Sequence, residues 1–321
     1  MADTSIEWTH REGTKGVTWN PSTGCDRISP GCDNCYALTL AKRLKAMGSA
    51  KYQTDGDPRT SGPGFGVAVH PDTLTEPLSW RKPRTVFVNS MSDLFHARVP
   101  IAFVAQVFAV MAATPQHTYQ ILTKRPERMA RMLTDLCRCG AGHVPGVHFR
   151  SAMEWASTQH SPTYVPGLKS GTFNSTPWPL PNCWAGTSIE NADHIGRADA
   201  LRDAPAAVRF ISAEPLLGPL ASLDLTGIDW LIIGGESGPG SRPMALDWVC
   251  DVIAKARVAD CAVFVKQLGS RWSQRTASLL PVDERGSGKG GNWDHWPDDL
   301  RIREYPRTVR AELAIANGDQ P

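Results

Sequence analysis

Seven short, nearly continuous apolar segments alternate with segments of helical periodicity along the chain. The apolar segments are residues 16–20, 85–89, 117–122, 183–187, 208–212, 229–233 and 262–265. Such segments are typical of strands that are buried on both faces of a parallel sheet. The helical segments are residues 36–47, 100–113, 126–136, 192–203 and 246–259. This alternation predicts an α/β fold, a partial (β/α) TIM-like barrel of parallel strands with inserted loops and an irregular C-terminal tail.

The length of the chain, 321 residues, is compatible with one barrel domain. We expect this domain to span residues 1–275, with insertions at about 48–80 and 137–181 that interrupt the alternation. Residues 276–321 lack the pattern and are predicted to form a C-terminal extension that packs on the barrel. Residues 1–16 are polar and are expected to be loosely ordered.

The charge balance and the distribution of apolar residues limit which classes of partner the protein can have. The 34 Lys and Arg nearly balance the 32 Asp and Glu, so the net charge of +2 carries no global signature of a nucleic-acid binder. The most apolar run, residues 99–113, is too short to span a bilayer. The chain shows no signal peptide, and its 8 cysteines are far fewer than disulfide-stapled secreted domains contain. We therefore expect a cytoplasmic protein with no membrane partner.

Polar residues recur just beyond the carboxyl ends of the predicted strands. In parallel barrels and doubly wound sheets, ligands bind at this edge. A single polar residue there could be a solvated loop side chain, but seven in register favour a binding edge. These residues are Asn20, Asp93, Lys124, Glu190, Glu214, Glu236 and Lys266.

A loop rich in Gly, Pro and Asp follows the first predicted strand and contains Cys25, Cys32 and Cys35 with the spacing Cys-x6-Cys-x2-Cys. A structural zinc site normally closes with four ligands, whereas a [4Fe–4S] cluster held by three thiolates keeps one iron open. Two other readings stay open: a zinc site that borrows a histidine such as His10 or His70, and structural cysteines without a metal.

A second group of candidate ligands lies in the 137–181 insertion. Cys137, Cys139, His143 and His148 could form a small zinc site with four N/S ligands. The alternative is an insertion that carries cysteines and histidines without metal. The remaining cysteines are predicted to be core residues, and they are Cys183, Cys250 and Cys261.

Two basic segments lie beside aromatic residues, a combination that can hold phosphates and stack bases. They predict a nucleic acid or nucleotide as substrate, with solvated helix faces and core aromatics as the alternative. The basic residues are Lys124, Arg125, Arg128 and Arg131, then Arg301, Arg303, Arg307 and Arg310, and the aromatic residues are Trp293, Trp296 and Tyr305.

A three-cysteine loop after the first strand of a β/α barrel resembles the radical S-adenosylmethionine (radical SAM) superfamily. More closely, the chain resembles a phage-associated, radical-SAM-like family of unknown function that carries a three-Cys motif, and more remotely the spore photoproduct lyases. The common superfamily spacing is Cys-x3-Cys-x2-Cys with an aromatic before the last cysteine, whereas here Tyr36 follows Cys35. The further matching segments are residues 19–21, 89–95, 122–125, 186–191, 212–216, 234–238, 242–243, 264–267, 296–297 and 303–304.

The resemblance implies an enzyme in which Cys25, Cys32 and Cys35 ligate a [4Fe–4S] cluster and S-adenosylmethionine chelates the open iron. One electron would then yield a 5′-deoxyadenosyl radical that abstracts hydrogen from a substrate, here a nucleobase or nucleic acid. An electron donor and a three-Cys-motif partner protein are the implied partners. The competing class is a non-catalytic, zinc-dependent nucleic-acid- or protein-binding module on the same barrel.

By the same resemblance, residues at the strand ends would hold S-adenosylmethionine. Residues after the second strand would hold the methionine amine, later polar groups the ribose and carboxylate, and two glycines would let the backbone approach adenine. The residues are, in that order, Ser90, Ser92 and Asp93; Ser188, Glu190 and Glu214; and Gly234 and Gly235 with Glu236 nearby.

Overall fold

A computed structural model describes residues 2–11, 13–134, 144–169, 173, 176–277 and 288–307. The strands are β1 (Ala2–Asp3), β2 (Lys15–Thr18), β3 (Ser22–Thr23), β4 (Ala68–Val69), β5 (Arg84–Val88), β6 (Thr118–Thr123), β7 (Cys183–Ser188), β8 (Val208–Ala213), β9 (Trp230–Gly234) and β10 (Ala262–Gln267). The α-helices are α1 (Tyr36–Ala46), α2 (Ile101–Ala113), α3 (Pro126–Thr134), α4 (Val147–Ser157), α5 (Arg197–Arg202), α6 (Leu246–Val258) and α7 (Ser270–Ala277). The predicted α/β fold, with parallel strands in sequential order as in a partial (β/α) barrel, is confirmed.

The first of two compact units comprises Met1–Ile28, Cys35–Gly186 and Asp203–Ala207. Its strand order is β1-β2-β5-β6-β7, in which β1 is antiparallel to β2 while β2, β5 and β6 are parallel. Val17, Val86 and Val88 are completely buried, because helices and loops cover both faces of these strands.

The described residues of the N-terminal segment, 2–11 and 13–16, include regular structure and packed side chains, contrary to the expectation from its polar composition. The Trp8 ring packs edge-on against Phe87, with 4.9 Å between ring centroids. The Arg11 guanidinium donates to Thr85 Oγ1 at 3.1 Å and lies 5.6 Å above the Trp184 ring. One tryptophan and one arginine therefore anchor a segment whose average polarity suggested disorder.

The second unit comprises Ser29–Asn34, Thr187–Arg202 and Val208–Pro321. It contains the end of β7 followed by β8, β9 and β10 in that order, and the last three are parallel. Phe210, Trp230 and Phe264 form its aromatic core, with ring centroids 5.9 and 6.0 Å apart. Residues 302–304 add to the edge of β10, where the amide of Val265 donates to the carbonyl of Ile302 at 2.8 Å.

The two predicted insertions have regular structure of their own. In the first, β4 pairs antiparallel with β3, which fixes the segment just before Cys25. The second contains α4, a helix that the sequence analysis did not predict, and Phe149 of α4 packs against Phe108 of α2 at 5.2 Å. Within the described part of the chain, no helix is long and apolar enough to cross a membrane.

We predict that Gly24→Ala lowers the free energy of unfolding more than Gly48→Ala does. Both glycines have positive φ, 85° and 75°, a region that costs other residues about 1–2 kcal/mol. A Cβ on Gly24 would also lie 2.1 Å from the carbonyl oxygen of Gly66, whereas a Cβ on Gly48 meets open space. Overpacking of this kind adds about 1–3 kcal/mol, measurable by urea unfolding. Equal losses in the two variants would contradict the predicted contact.

Candidate functional site

Two of the three motif cysteines pack against one apolar cluster in the first unit. Cys25 and Cys35, both half-buried, contact a cluster formed by Ala37, Ala41, Tyr52, Phe65 and Met91. Two structural features position Cys25: the β3–β4 pairing, and the amide of Gly24, which donates to the carbonyl of Met91 at 2.9 Å. The structure records no disulfide among the described cysteines.

A guanidinium group lies beside the sulfur of Cys25. Arg125 Nη1 is 3.4 Å from Cys25 Sγ and 2.8 Å from Asp93 Oδ2. Burial opposes the charge on Arg125, but Asp93 and Cys25 together raise its pKa, so it stays a cation. A fixed cation next to a cysteine favours the thiolate, the form that binds metals.

Asp93, predicted to bind cofactor, has chain donors on both carboxylate oxygens. Oδ1 accepts from the amide of Phe95 at 3.0 Å and from Thr123 Oγ1 at 2.7 Å. Oδ2 accepts from the amide of Lys124 at 3.1 Å in addition to Arg125. The side chain is 6% exposed, so this carboxylate holds Arg125 in place beside Cys25.

Asp26 carries a second charge network next to Cys25. Burial would raise its pKa, yet hydrogen bonds from Thr60, Arg98, His96 and Ser61 lower it far below the usual range. Burial and the charge of Arg125 lower the pKa of His96, whose Nε2 lies 2.9 Å from Asp26 Oδ2. The chain around Cys25 is therefore held by ionised and hydrogen-bonded groups.

Cys35 occupies the N-cap of α1, where first-turn amides and the helix dipole favour a thiolate. The hydroxyl of the next residue, Tyr36, donates to the carbonyl of Ser90 at 2.5 Å. The Ser90 hydroxyl lies 3.0 Å from Asn20 Nδ2, and the Ser92 hydroxyl lies 2.9 Å from Ser22 Oγ. Ser90 and Ser92 thus lie after β5, as predicted, and link it to the chain that leads into Cys25.

The third cysteine belongs to the second unit. Cys32 ends a short 3-10 helix, Pro30–Cys32, and is 8% exposed. Ser29 Oγ lies 3.6 Å from Cys32 Sγ and donates to Glu190 Oε1 at 2.7 Å. Glu190 is completely buried, and Arg197 Nη1 donates to its Oε2 at 3.0 Å.

Glu236 contacts the same stretch of chain as Glu190 does. Its Oε2 accepts from Asn34 Nδ2 at 3.1 Å and from Arg242 Nε at 2.9 Å, and its Oε1 accepts from Arg242 Nη2 at 2.5 Å. Arg242 Nη2 also donates to the carbonyl of Pro30 at 2.9 Å. Burial opposes ionisation, but these hydrogen bonds from Arg242 and Asn34 lower the pKa of Glu236.

The remaining predicted cofactor residues lie at the strand ends of the second unit. Glu214 Oε1, after β8, pairs with Lys266 Nζ at 2.5 Å, and both side chains are partly exposed. The carbonyl of Ser188 accepts from Arg197 at 2.8 Å. A Cβ on Gly235 would lie 2.5 Å from the carbonyl oxygen of Leu268, and one on Gly234 would lie 3.1 Å from Glu214 Cγ. Gly235 therefore serves close packing of the chain itself.

Of the second candidate zinc site, Cys137, Cys139 and His143 lie outside the described residues, and His148 is exposed on α4. Among described residues, no three or more His, Cys, Asp and Glu side chains are arranged to hold a metal ion. Cys183 and Cys261 are buried in the core as predicted, and this burial raises the pKa of each thiol to about 12. The prediction for Cys250 was wrong, because it is exposed on α6.

Most described guanidinium groups of the two basic segments have partners within the chain. Arg128 donates to the carbonyl of Val99 at 2.9 Å, and Arg301 to that of Trp296 at 3.0 Å. Arg303 lies over the Phe264 and Trp293 rings, at 5.3 and 4.8 Å. Arg310 lies outside the described residues, and Arg131 is exposed. These contacts favour the alternative that the sequence analysis left open for this pattern.

Sequence reasoning assigned no site role to Arg242, Arg197 or Asn34, and it placed Arg125 in a nucleic-acid patch. Nothing in the local pattern distinguishes these side chains from solvated loop residues. Their partners lie far away along the chain, for example 202 residues away between Asn34 and Glu236. The sequence offered proximity to a predicted site for two of them, since Asn34 lies between Cys32 and Cys35 and Arg242 shortly follows the segment 234–236.

We predict that Asp93→Asn lowers the free energy of unfolding by about 3 kcal/mol, because it leaves Arg125 buried without its counter-ion. The matched control is Asp55→Asn, which breaks the Lys45–Asp55 pair, whose Asp55 side chain is 54% exposed. Exposed pairs contribute far less to stability than buried ones, because water and salt screen them. Both pairs lie in the first unit, so the free energies of unfolding of the two variants can be compared directly by urea unfolding with the same spectroscopic signal. A loss in Asp93→Asn no larger than in Asp55→Asn would contradict the role of Asp93.

Comparison with known proteins gives a family without an assigned activity. No curated protein matches the chain. Residues 3–297 match the model of the DUF5131 family, whose description is "Protein of unknown function". The match covers more than nine-tenths of the 321 residues and includes all three motif cysteines and both glutamates that contact the Cys32 segment. The chain therefore belongs to the DUF5131 family of proteins of unknown function.

Proposed function

We propose that this protein is a radical S-adenosylmethionine enzyme that binds a [4Fe–4S] cluster through Cys25, Cys32 and Cys35. The observation that carries the proposal is local to the first unit. Cys25 and Cys35 pack against one apolar cluster, and the Arg125 guanidinium lies 3.4 Å from the Cys25 sulfur. An apolar surround and a nearby cation are what a cluster held by thiolates needs, since both the charge and the exposure of its sulfurs set its potential.

The chemistry of each donor fits such a cluster. Arg125 favours the thiolate of Cys25, and the N-cap position favours that of Cys35. Cys32 is buried, and Ser29 Oγ lies 3.6 Å from its sulfur. When bound, the cluster and S-adenosylmethionine supply a one-electron cleavage that yields a 5′-deoxyadenosyl radical. The chain itself holds the thiolates, compensates their charge and excludes water.

For S-adenosylmethionine we propose contacts from polar groups that remain partly accessible. Ser90 lies half-buried after β5, and Glu214 lies after β8 beside Lys266. A neighbouring carboxylate and ammonium suit a ligand that carries both an amino and a carboxylate group. Ser92 is also partly accessible and is a further proposed contact. Ser188, which is 4% exposed, and Gly234, proposed to lie beside the adenine, stay in the proposal on the resemblance alone.

The substrate part of the proposal rests on the resemblance to the radical SAM superfamily. We propose a nucleobase or nucleic acid as the substrate. The proposed partners are an electron donor and a three-Cys-motif protein, and the proposed location is the cytoplasm. Arg131 is the exposed cation of the first basic segment that suits phosphate contact. Binding through phosphates would weaken steeply with added salt.

We predict that anaerobic reconstitution with iron and sulfide loads wild type with up to about four irons per chain. The loaded protein, reduced with S-adenosylmethionine, is expected to release 5′-deoxyadenosine. Cys25→Ala, Cys32→Ala and Cys35→Ala should each abolish both iron loading and release of 5′-deoxyadenosine, because three thiolates are needed to hold the cluster.

The control is Cys250→Ala, which removes an exposed thiol on α6 and should load and react as wild type does. Equal iron in Cys250→Ala and Cys32→Ala would contradict the ligand assignment. Wild type that binds zinc alone and cleaves no cofactor would favour the non-catalytic binding module.

A further inference from the structure

The segment that carries Cys32 is held in the second unit by two buried carboxylates. We call residues 29–34, which form the 3-10 turn and its flanks, the Cys32 loop. Glu190 follows β7 and Glu236 follows β9, so each lies just beyond the carboxyl end of a strand. Both were predicted from the sequence to hold S-adenosylmethionine, but their carboxylates accept hydrogen bonds from this loop.

The first anchor is Glu190. Its Oε1 accepts from Ser29 Oγ at 2.7 Å, and its Oε2 accepts from Arg197 at 3.0 Å. The backbone of Gly31 lies against the same carboxylate, so that a Cβ on Gly31 would come within 2.5 Å of Oε1. Only glycine allows the loop this close to Glu190, whose side chain is completely buried.

The second anchor is the Glu236–Arg242 pair. Glu236 accepts from Asn34 at one end of the loop, at 3.1 Å. Arg242 donates to the carbonyl of Pro30 at 2.9 Å and lies 3.4 Å from the Asp33 carboxylate. These two anchors therefore hold the chain on both sides of Cys32, and the Ser29 hydroxyl, which donates to Glu190, also lies 3.6 Å from the Cys32 sulfur.

We infer that Glu190, Glu236 and Arg242 are positioning residues that hold the Cys32 loop in its observed conformation, with Cys32 buried, before any metal binds. The physical reason is that a buried carboxylate without donors is strongly unfavourable, so the donors of the loop and the two glutamates stay together. Cys32 is kept buried in the metal-free chain as a consequence. The inference rests on the proposed function only in naming the loop a metal ligand.

The contacts of Glu236 are explained less well by binding of S-adenosylmethionine than by positioning of the Cys32 loop. Both of its oxygens accept from Arg242, and one accepts from Asn34 as well. An amino or hydroxyl group of S-adenosylmethionine would have to displace charge-assisted hydrogen bonds, which are about twice as strong as neutral ones. The same reasoning applies to Glu190, whose two oxygens face Ser29 and Arg197.

The test measures alkylation of each cysteine by iodoacetamide in the full-length, metal-free protein. Proteolysis before Asp33 separates Cys32 from Cys35, so mass spectrometry gives a rate for each thiol. Glu236→Gln and Gly31→Ala should each speed labelling of Cys32 about tenfold, because the loop opens more often. Cys25 belongs to the other unit, and its rate should stay that of wild type.

Matched controls separate opening of the loop from general loss of stability. Gly196→Ala adds a Cβ where nothing lies within 4 Å, and Glu304→Gln breaks the 2.7 Å pair with Arg257, away from the loop. Both lie in the second unit and should leave Cys32 labelling unchanged, although Glu304→Gln lowers the melting temperature.

Wild-type labelling of Cys32 in both Glu236→Gln and Gly31→Ala would overturn the inference. So would an equal rise at Cys32, Cys25 and the buried Cys261, which indicates global unfolding. Labelling needs no metal, so it tests the positioning of the Cys32 loop even if wild type takes up no iron in the reconstitution. If wild type does load, the two variants should bind less iron while both controls match wild type.

Discussion

A carboxylate buried at the end of a parallel strand has to find hydrogen-bond donors within the chain. Asp93, Glu190 and Glu236 each follow a strand, and each is at most 6% exposed. Taking such a group out of water costs several kcal/mol unless charged or polar donors compensate. In all three cases the donors come from, or lead to, a segment that carries a motif cysteine. Burial of these acids thus fixes the conformation of the cysteine-bearing chain.

The three cysteines obtain different surroundings from this arrangement. Asp93 holds Arg125, which brings a permanent positive charge to Cys25. Cys35 is set by the start of α1, where backbone amides rather than a side chain supply positive potential. Around Cys32, Arg242 bonds Glu236 and the carbonyl of Pro30 and so holds the backbone of the loop. The contacts of Cys25 and Cys35 thus place positive potential at the sulfur, whereas those of the Cys32 loop fix its position.

Much of the scaffold could be predicted because parallel strands leave a direct mark on the sequence. All seven apolar segments are strands, and the predicted helices at 36–47, 100–113 and 246–259 match to within two residues. The helix predicted at 126–136 is helical over Pro126–Thr134, and its last two residues lie outside the described part of the chain. The helix predicted at 192–203 is instead a 3-10 turn followed by the short α5. Helix α4 was missed because the Pro- and Ser-rich sequence around it obscures an apolar face formed by Phe149 and Met153. The N-terminal segment was missed for the converse reason, since Trp8 and Arg11 order it through contacts to distant strands.

The positions of the candidate site residues after the strands were predictable, but the contacts that these residues make were not. A polar residue after a parallel strand gives the same sequence signal whether it binds a ligand or the protein's own loop. The structure shows what each carboxylate contacts and how deeply it is buried. Glu214 pairs with Lys266 and both side chains are partly exposed, whereas Glu236 accepts from Asn34 of the Cys32 loop and from Arg242 and is almost fully buried. Pairings that span about two hundred residues leave no local pattern in the sequence, so the hydrogen bonds between Glu236 and the Cys32 loop emerge only once the chain is folded.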